Sequence, residues 1–388
     1  MIKNIIIKIH LWLGLISGII VFIVSVTGCM YVFSKEITEW RRRDAIHSAP
    51  QSGPAISVSR LWEKVEAGLD PGQKVSWVNV YNDPGKNWQF YAYKGNPDGL
   101  TYWGMIDYYN SVFIDPYTGE VKGRFDEKSD FFNVVKSLHW SLLLNTPIGQ
   151  PIVGWGTFIF VILLITGLVL WWPKNFRKAG SRFRIRWKKS AGTYRKVYDL
   201  HNVFGFYSLL LALIIALTGM VWSFKWFQAF VYVAASGTTV PPDRSVEKSV
   251  PGDYAVVSPV DEASRQTKEK YADAAGFRMS PPGDSLDVIH VYVQQKEGLY
   301  AVAHELQFDQ YSGKLLKERQ HSDKNFGEKL ITANYDIHVG AILGIPGKII
   351  AFIISLFCAS LPVTGFLMWW SRQKKKRRTP LMAGAKED

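Results

Sequence analysis

The sequence predicts a membrane α-helical bundle of four transmembrane helices that carries two α+β domains outside the membrane. Three observations predict this fold class: long uncharged apolar runs, positive charge confined to three segments, and an internal duplication. Of the 388 residues 47% are hydrophobic, and four runs contain no charged residue: 11–33, 140–172, 200–224 and 349–371. About 20 apolar residues suffice for a helix to cross the hydrocarbon core of a bilayer. Each run is therefore predicted to span the membrane once.

Positive charge indicates the orientation of these spans. The formal net charge is +13, and segments 1–10, 173–200 and 372–388 contain 2, 10 and 7 Lys or Arg residues. With four spans the three segments share one side, which the positive-inside rule assigns to the cytoplasm together with both termini. The cluster Arg41 to Arg43 falls on the other side, but long connections translocate largely regardless of charge. Because the excess charge adjoins the membrane, the predicted partner is the lipid bilayer and not nucleic acid.

Landmarks in the first half of the chain recur in the second half at an offset of 191 to 199 residues. Such a repeat predicts two halves of the same topology, related by a pseudo-twofold axis along the membrane normal. The recurring landmarks are His10 with Thr27-Gly28, matched by His201 with Thr218-Gly219, and His139 with Thr166-Gly167, matched by His338 with Thr364-Gly365.

The same pattern sets the predicted domain boundaries. Each soluble domain begins with a helical pattern and continues in alternating runs, which are typical of a helix on an antiparallel sheet. The predicted segments are transmembrane helix 1 at 1–36, the first soluble domain at 55–128, an outer helix with transmembrane helix 2 at 129–172, a basic cytoplasmic loop at 173–198, transmembrane helix 3 at 199–228, the second soluble domain at 255–322, an outer helix with transmembrane helix 4 at 325–371, and a basic cytoplasmic tail at 372–388.

Four histidines lie at the predicted membrane boundaries. His10 and His201 begin spans on the cytoplasmic side, whereas His139 and His338 precede spans on the outer side. Two imidazoles that face each other across a bundle supply the axial ligands of a haem iron. Gly14 and Gly205, four residues after the first two histidines, leave space for a flat macrocycle. An alternative is that these glycines only let helices approach closely.

The remaining residue types narrow the chemistry. Only Cys29 and Cys358 are present, and there is no C-x-x-C-H motif, so haem would be bound non-covalently as two b-type haems with bis-histidine ligation. No Walker loop and no G-x-G-x-x-G motif occurs, so no nucleotide-binding domain is expected. The threonines of the four Thr-Gly pairs are predicted to bond back to helix carbonyl groups. Histidines outside the pairs are predicted to be structural or solvated: His47, His290, His304 and His321.

The chain resembles the PepSY-associated transmembrane helix family over almost its whole length. The resemblance rests on His-Leu-Trp-Leu-Gly at 10–14, Leu-His-Trp-Ser-Leu-Leu at 138–143, the Thr-Gly pairs, and two Asp-x-x-Thr/Ser-Gly turns. It implies two PepSY-like periplasmic domains, and it assigns His10 and His201 to one haem and His139 and His338 to another. Some members resemble di-haem ferric siderophore reductases of the bacterial inner membrane.

The resemblance thus implies an oxidoreductase that reduces a ferric siderophore or another iron chelate for iron uptake. Flavin modules fused to some members are absent here, so the electron donor is either a quinol or a separate cytoplasmic reductase. The alternative is a haem-free, membrane-tethered PepSY protein that binds or regulates a peptidase. Candidates to line a chelate site are aromatic residues of the first domain, which an ordinary sheet core explains equally well: Trp77, Trp88, Tyr91, Tyr93, Tyr102, Trp103, Tyr108 and Tyr109.

Overall fold

Four helices are long and apolar enough to cross a membrane, which confirms the four predicted spans. The computed structural model describes residues 1–51, 53–173, 180, 182–185, 187, 190–252, 254 and 258–383, with side chains described as far as residue 374. The chain divides into two units. The membrane unit comprises Met1–Val32, Val135–Lys225 and His338–Asp388, and the sheet unit comprises Phe33–Val134 and Trp226–Ile337.

The four long helices of the membrane unit form a ring. They are α1 (Ile2–Tyr31), α6 (Thr146–Trp171), α7 (Thr193–Ser223) and α12 (Gly344–Ala383). Helix α1 packs against α6 and α12, and α7 packs against the same two helices. Helices α1 and α7 therefore lie diagonally opposite each other. The predicted basic loop at 173–198 lies partly outside the described residues, as does the end of the predicted tail, although α12 continues to Ala383.

Helix α5 (Phe131–Ser141) precedes α6 and is joined to it by a sharp reversal of the chain. Leu142 and Leu143 have φ angles of 56° and 63°, in the left-handed region that leucine rarely adopts. A Cβ atom at Gly149 would lie 1.9 Å from the carbonyl oxygen of Ser141, so the first turn of α6 can approach the end of α5 only with glycine there. Asn145 caps α6 by accepting a hydrogen bond from the amide of Ile148.

In the second half the short helices α10 (Phe326–Thr332) and α11 (Asn334–His338) occupy the corresponding place before α12. A 3-10 turn, Ala341–Leu343, joins α11 to α12. Both α5 and α11 end close to their histidines, His139 and His338.

The sheet unit contains one antiparallel sheet of eight strands in the order β4-β3-β2-β1-β5-β6-β7-β8. Each predicted α+β domain provides one helix and four strands. The sequence did not predict that the two sets of four strands join into one sheet. They join where β1 pairs with β5, with Val78 opposite Met279 and Val80 opposite Phe277. An unpaired β1 or β5 would expose a row of backbone donors and acceptors, and pairing the two edges satisfies them. The strands are Val75–Tyr81, Trp88–Gly95, Ile106–Ile114, Val121–Asp126, Gly276–Ser280, Val288–Lys296, Leu299–Asp309 and Leu315–Arg319 for β1 to β8.

One face of this sheet packs against helices α4 (Val58–Ala67) and α9 (Pro259–Lys270) to form the core. The largest fully buried side chains of that core include Leu61, Phe90 and Phe308. The remaining described helices are α2 (Ser34–Arg41), α3 (Arg43–Ile46) and α8 (Lys225–Ser236).

The two Asp-x-x-Thr/Ser-Gly segments form matching turns in β3-β4 and β7-β8. The carboxylate of Asp115 accepts a hydrogen bond from the amide of Tyr117, and that of Asp309 accepts one from the amide of Tyr311. Gly119 and Gly313 close the turns with φ angles of 69° and 68°, which glycine adopts without steric cost.

Candidate functional site

The structure brings the four boundary histidines together as two pairs, both within the membrane unit. In the first pair, His10 on α1 faces His201 on α7 across the diagonal of the bundle, with ring centroids 6.4 Å apart and ring planes 89° apart. In the second pair, His139 at the end of α5 faces His338 at the end of α11, with centroids 6.1 Å apart and planes 73° apart. The Trp222 ring lies edge-on against His338, with centroids 5.2 Å apart.

These separations match the requirement for one iron between two imidazoles. Two metal–nitrogen bonds of about 2.0 Å, plus about 1.1 Å from each ring centre to its ligating nitrogen, place the centroids about 6.2 Å apart. The first pair differs from that value by about 0.2 Å and the second by about 0.1 Å. Both pairs therefore have the centroid separation that one iron between two imidazoles requires. Bis-histidine ligation needs only two protein ligands, and in the described part of the chain no group of three His, Cys, Asp or Glu side chains could hold a bare metal ion.

Each imidazole is held at Nδ1 by a threonine from another element of the bundle. Metal-ligating histidines ordinarily use their second nitrogen in this way, which fixes the orientation of the ring. The contacts are His10 Nδ1 to Thr166 Oγ1 at 2.9 Å, His201 Nδ1 to Thr364 Oγ1 at 2.8 Å, His139 Nδ1 to Thr27 Oγ1 at 3.1 Å, and His338 Nδ1 to Thr218 Oγ1 at 2.9 Å.

The threonine contacts match the imidazole tautomer that is protonated at Nδ1. A hydroxyl group has one proton, and Thr166 Oγ1 donates it to the carbonyl oxygen of Ile162 at 2.8 Å. A hydroxyl that donates to this carbonyl accepts from His10, which places the proton on Nδ1 and leaves the Nε2 lone pair for a metal. Thr364 donates to Ser360 and Thr218 to Ile214 in the same way. His139 Nδ1 also lies 2.9 Å from the carbonyl oxygen of Val24, which can only accept.

The glycine after each threonine leaves room for the edge of the imidazole ring. A Cβ atom at Gly167 would lie 3.3 Å from His10 Cε1, closer than most side chains pack. At Gly28, Gly219 and Gly365 a Cβ atom would be in ordinary van der Waals contact with Cε1 of His139, His338 and His201, at 3.4, 3.5 and 3.6 Å. Each Thr-Gly pair thus orients a histidine of another helix. The sequence analysis predicted only the backbone hydrogen bonds of these threonines; the signal it did not use was that every Thr-Gly pair recurs with a histidine.

Gly14 and Gly205 line a cavity of about 910 Å³ that also contains His10 and His201. This volume lies within the range of small-molecule and cofactor pockets. A Cβ atom at either glycine would approach no atom closer than 3.7 Å, whereas at Gly154 or Gly156 it would lie 2.7 Å from a neighbouring helix. The latter two glycines permit close helix packing, whereas a Cβ atom at the first two would make only ordinary van der Waals contact. That contrast favours a ligand cavity over the alternative that Gly14 and Gly205 only permit close packing.

The comparison with known families agrees with this architecture. A family model described as the PepSY-associated TM region matches residues 7–372. The chain belongs to this family. Together with the four apolar helices, membership makes it a multi-pass membrane protein. Among proteins of curated function, none matches the chain.

The other histidines of this PepSY-associated TM protein lie in the sheet unit and form no comparable pair among the described residues. His290 Nε2 lies 3.3 Å from Asp287, and its side chain is 43% exposed. His304 packs against the Tyr271 ring, and its Nδ1 accepts a hydrogen bond from the amide of His321. Burial lowers the pKa of both His304 and His321, so they are neutral near pH 7.

The aromatic candidates of the first domain separate into different environments, because successive strand residues point to opposite faces. Trp77, Tyr91, Tyr93 and Tyr109 form one cluster, in which Trp77 stacks on Tyr91 with centroids 4.9 Å apart. The guanidinium of Arg278 lies 5.5 Å from the Trp77 ring centre. Trp88, by contrast, belongs to the hydrophobic core. Outside the cluster, Tyr102 pairs with Trp103, and the Tyr108 hydroxyl accepts from the amide of Lys74.

Removing one threonine hydroxyl should weaken the site it supports. In Thr166→Val, Nδ1 of His10 loses its acceptor, and we expect haem affinity at the first pair to fall about 10- to 100-fold. Haem titration into the full-length apoprotein measures this change. Thr166→Ser, which keeps a hydroxyl group, should bind much as the wild type does.

Thr157→Val is the matched control, because Thr157 lies on the same helix and its hydroxyl donates to the carbonyl of Val153. Equal haem affinities for Thr166→Val and Thr157→Val would contradict the orienting role of Thr166.

Proposed function

We propose that this protein is a di-haem transmembrane electron carrier that reduces an extracytoplasmic iron(III) chelate, a ferric siderophore being the expected substrate. The observation that carries the proposal is the geometry of the two imidazole pairs. Their centroids are 6.4 and 6.1 Å apart, and a threonine engages Nδ1 of every ring. A hydrogen bond at Nδ1 of every ring leaves Nε2 as the nitrogen that can ligate a metal.

The two pairs lie at different depths, as transmembrane electron transfer requires. His10 and Thr27, which contacts His139, are 17 residues apart on α1. Since an α-helix rises about 1.5 Å per residue, the two levels are separated by about 25 Å, most of the roughly 30 Å hydrocarbon thickness. His201 and Thr218 repeat this interval on α7. One pair thus serves each side of the membrane.

Apolar side chains fill the bundle between the two levels, among them Leu164, Ala212, Ile354 and Cys358. Such a layer excludes water and disfavours ions and protons, because an unpaired charge in an apolar environment is costly. Bound haem would supply one-electron chemistry at each level. The protein's own residues hold the imidazoles, fix their tautomer and keep the intervening region dry, so electrons cross without a proton leak.

We further propose an internal duplication with pseudo-twofold symmetry. The paired contacts support it: His10 with Thr166 corresponds to His201 with Thr364, and His139 with Thr27 corresponds to His338 with Thr218. A duplicated half that supplies one histidine to each level yields two complete sites only when both halves are present. Each of the two imidazole pairs therefore needs one histidine from each half of the chain.

The positive charge of segments 1–10, 173–200 and 372–388 supports a bacterial inner-membrane protein with both termini in the cytoplasm. The sheet unit is then periplasmic. A quinol or a cytoplasmic reductase supplies electrons near the first pair, and each iron(III) in a chelate accepts one electron near the second. Reduction labilises the iron because hard oxygen ligands favour the ferric ion. The cluster of Trp77, Tyr91, Tyr93 and Tyr109, with Arg278, is the surface we propose for the chelate.

The test uses full-length protein reconstituted in liposomes with a trapped reductant and ferric hydroxamate outside. We expect a reduced-minus-oxidised spectrum of low-spin b-type haem, two haems per chain, and iron(II) formation outside, captured by a colorimetric chelator. Liposomes with apoprotein should form no iron(II). A colourless preparation after expression with ample haem would exclude the carrier and favour the haem-free regulatory protein.

A further inference from the structure

The cavity at the first imidazole pair has a charged end and an apolar end. Among the described residues that line it there are three cationic side chains, Lys3, Arg182 and Arg372, and no acidic one. The other end is lined by residues such as Ile19 and Phe22. The positive-inside rule explains cations near this face of the membrane, but it does not require them to line a cavity without an acidic partner.

The positions of Lys3 and Arg372 follow from the histidine geometry. Lys3 precedes His10 by seven residues on α1. Arg372 follows Gly365, the glycine against which His201 packs, by seven residues on α12. Seven residues are close to two helical turns. Lys3 therefore lies on the same helix face as His10, and Arg372 on the same face as Gly365, each about 10 Å along the helix axis. Both displacements lead towards the basic segments of the chain. The cations therefore border the periphery of a flat ligand centred between the imidazoles.

The two arginines are anchored at this end of the cavity. Arg182 donates to the carbonyl oxygen of Trp171, the last residue of α6, where carbonyl groups lack partners within the helix. Arg372 donates from Nε and Nη2 to the hydroxyl of Tyr194 at 3.0 and 2.9 Å. A guanidinium has five N–H donors, so each arginine keeps donors for a carboxylate.

We propose that Lys3, Arg182 and Arg372 form a carboxylate-binding subsite for the two propionates of the haem at His10 and His201. This inference rests on the proposed function and adds the orientation of the ligand. The propionates meet the cationic end, while the vinyl-bearing edge of the macrocycle meets the apolar end. The reverse orientation would place two carboxylates against side chains such as Ile19 and Phe22 without a partner, which is strongly unfavourable.

The same cations favour the reduced haem. Reduction of the iron adds one negative charge to the ligand, and nearby positive charge stabilises that state. We therefore expect the midpoint potential of the first haem to fall when the three cations are neutralised, with the second haem unchanged. A reductant on this side of the membrane would transfer electrons less readily to such a variant.

The decisive experiment compares haem with haem dimethyl ester, which lacks both carboxylate charges, in reconstitution of full-length apoprotein. The wild type should prefer haem at the first pair by about tenfold or more, since a charge-assisted hydrogen bond contributes about 1.5–3 kcal/mol. In the triple variant Lys3→Gln, Arg182→Gln, Arg372→Gln this preference should disappear. Glutamine retains a donor for the Trp171 carbonyl and the Tyr194 hydroxyl, so folding should be preserved.

Lys374→Gln is the matched control, because Lys374 is on α12 two residues beyond Arg372 but does not line the cavity. An unchanged preference in the triple variant would overturn the subsite while leaving the haem assignment intact. Wild-type protein that binds neither haem nor its ester would refute the proposed function, and the subsite with it.

Discussion

On the proposed di-haem assignment, the His10→Ala protein should bind one haem per chain and the wild type two, because a b-type haem that loses an axial ligand is no longer held at the first pair. His139→Ala should likewise lose one haem, and the double variant should lose both. The losses are expected to be independent because each pair has its own threonines, and because the levels are about 25 Å apart along α1. Pyridine haemochromogen quantification, together with the reduced-minus-oxidised spectrum, measures the stoichiometry.

Two further variants separate ligand loss from misfolding. His290→Ala removes a partly exposed histidine of the sheet unit and should leave both haems in place. His10→Gly leaves a vacancy beside the cavity, and added imidazole should restore the missing haem. Two haems retained in both His10→Ala and His139→Ala would end the bis-histidine assignment. Loss of both haems in either single variant would show that the sites are not separate.

The spans were predictable because a helix that crosses a bilayer must be long and apolar, whereas their ends were not. The predicted third span begins at residue 199, but α7 begins at Thr193 and includes Arg195, whose guanidinium pairs with Asp199 one turn later. Charged residues can extend a helix beyond the hydrocarbon region, so hydropathy does not mark its true start. Similarly, two leucines with positive φ form the reversal before α6, and nothing in their residue type indicates it.

Long-range contacts explain what the sequence analysis missed. Recurrence of the histidines in the sequence predicted which imidazoles would pair, and the structure places His10 opposite His201 and His139 opposite His338. The threonine partners were missed because Thr27 and His139 are 112 residues apart and lie on different helices. The pairing of β1 with β5 was missed for the same reason: strand alternation predicts the face of each residue but not the neighbour of an edge strand.

The arginine cluster Arg41 to Arg43, which opposed the positive-inside assignment, is partly explained by an ion network in the sheet unit. The side chains of Arg42 and Glu127 are only 6% and 7% exposed and form a salt bridge. Arg42 Nη2 also lies 3.1 Å from Asp130, and Ser111 donates to Glu127 at 2.6 Å. Burial alone would lower the pKa of Arg42, but the hydrogen bond and charge of Glu127, with the charge of Asp130, raise it above its ordinary value.

Arg42→Ala should therefore destabilise the sheet unit by about 3–5 kcal/mol, because it leaves the buried carboxylate of Glu127 without its counter-charge and Asp130 with only the exposed Arg41 nearby. Hydrogen exchange of peptides from β3 and β4 in the full-length protein measures this change. The equilibrium constant for opening should rise about 100-fold or more. Arg41→Ala is the matched control: its side chain is 49% exposed, it lies 3.7 Å from Asp130, and exposed pairs contribute at most about 1 kcal/mol.

Adding Glu127→Gln to Arg42→Ala should recover part of the lost stability, since the second change removes the carboxylate charge that Arg42→Ala leaves without a counter-charge. If the loss in Arg42→Ala came only from missing packing against Phe125, whose ring centre lies 4.2 Å from the guanidinium, the second change would recover nothing. Equal protection in Arg41→Ala and Arg42→Ala would show that the network does not stabilise the sheet. Recovery in the double variant would identify charge compensation as the reason an arginine follows the first span.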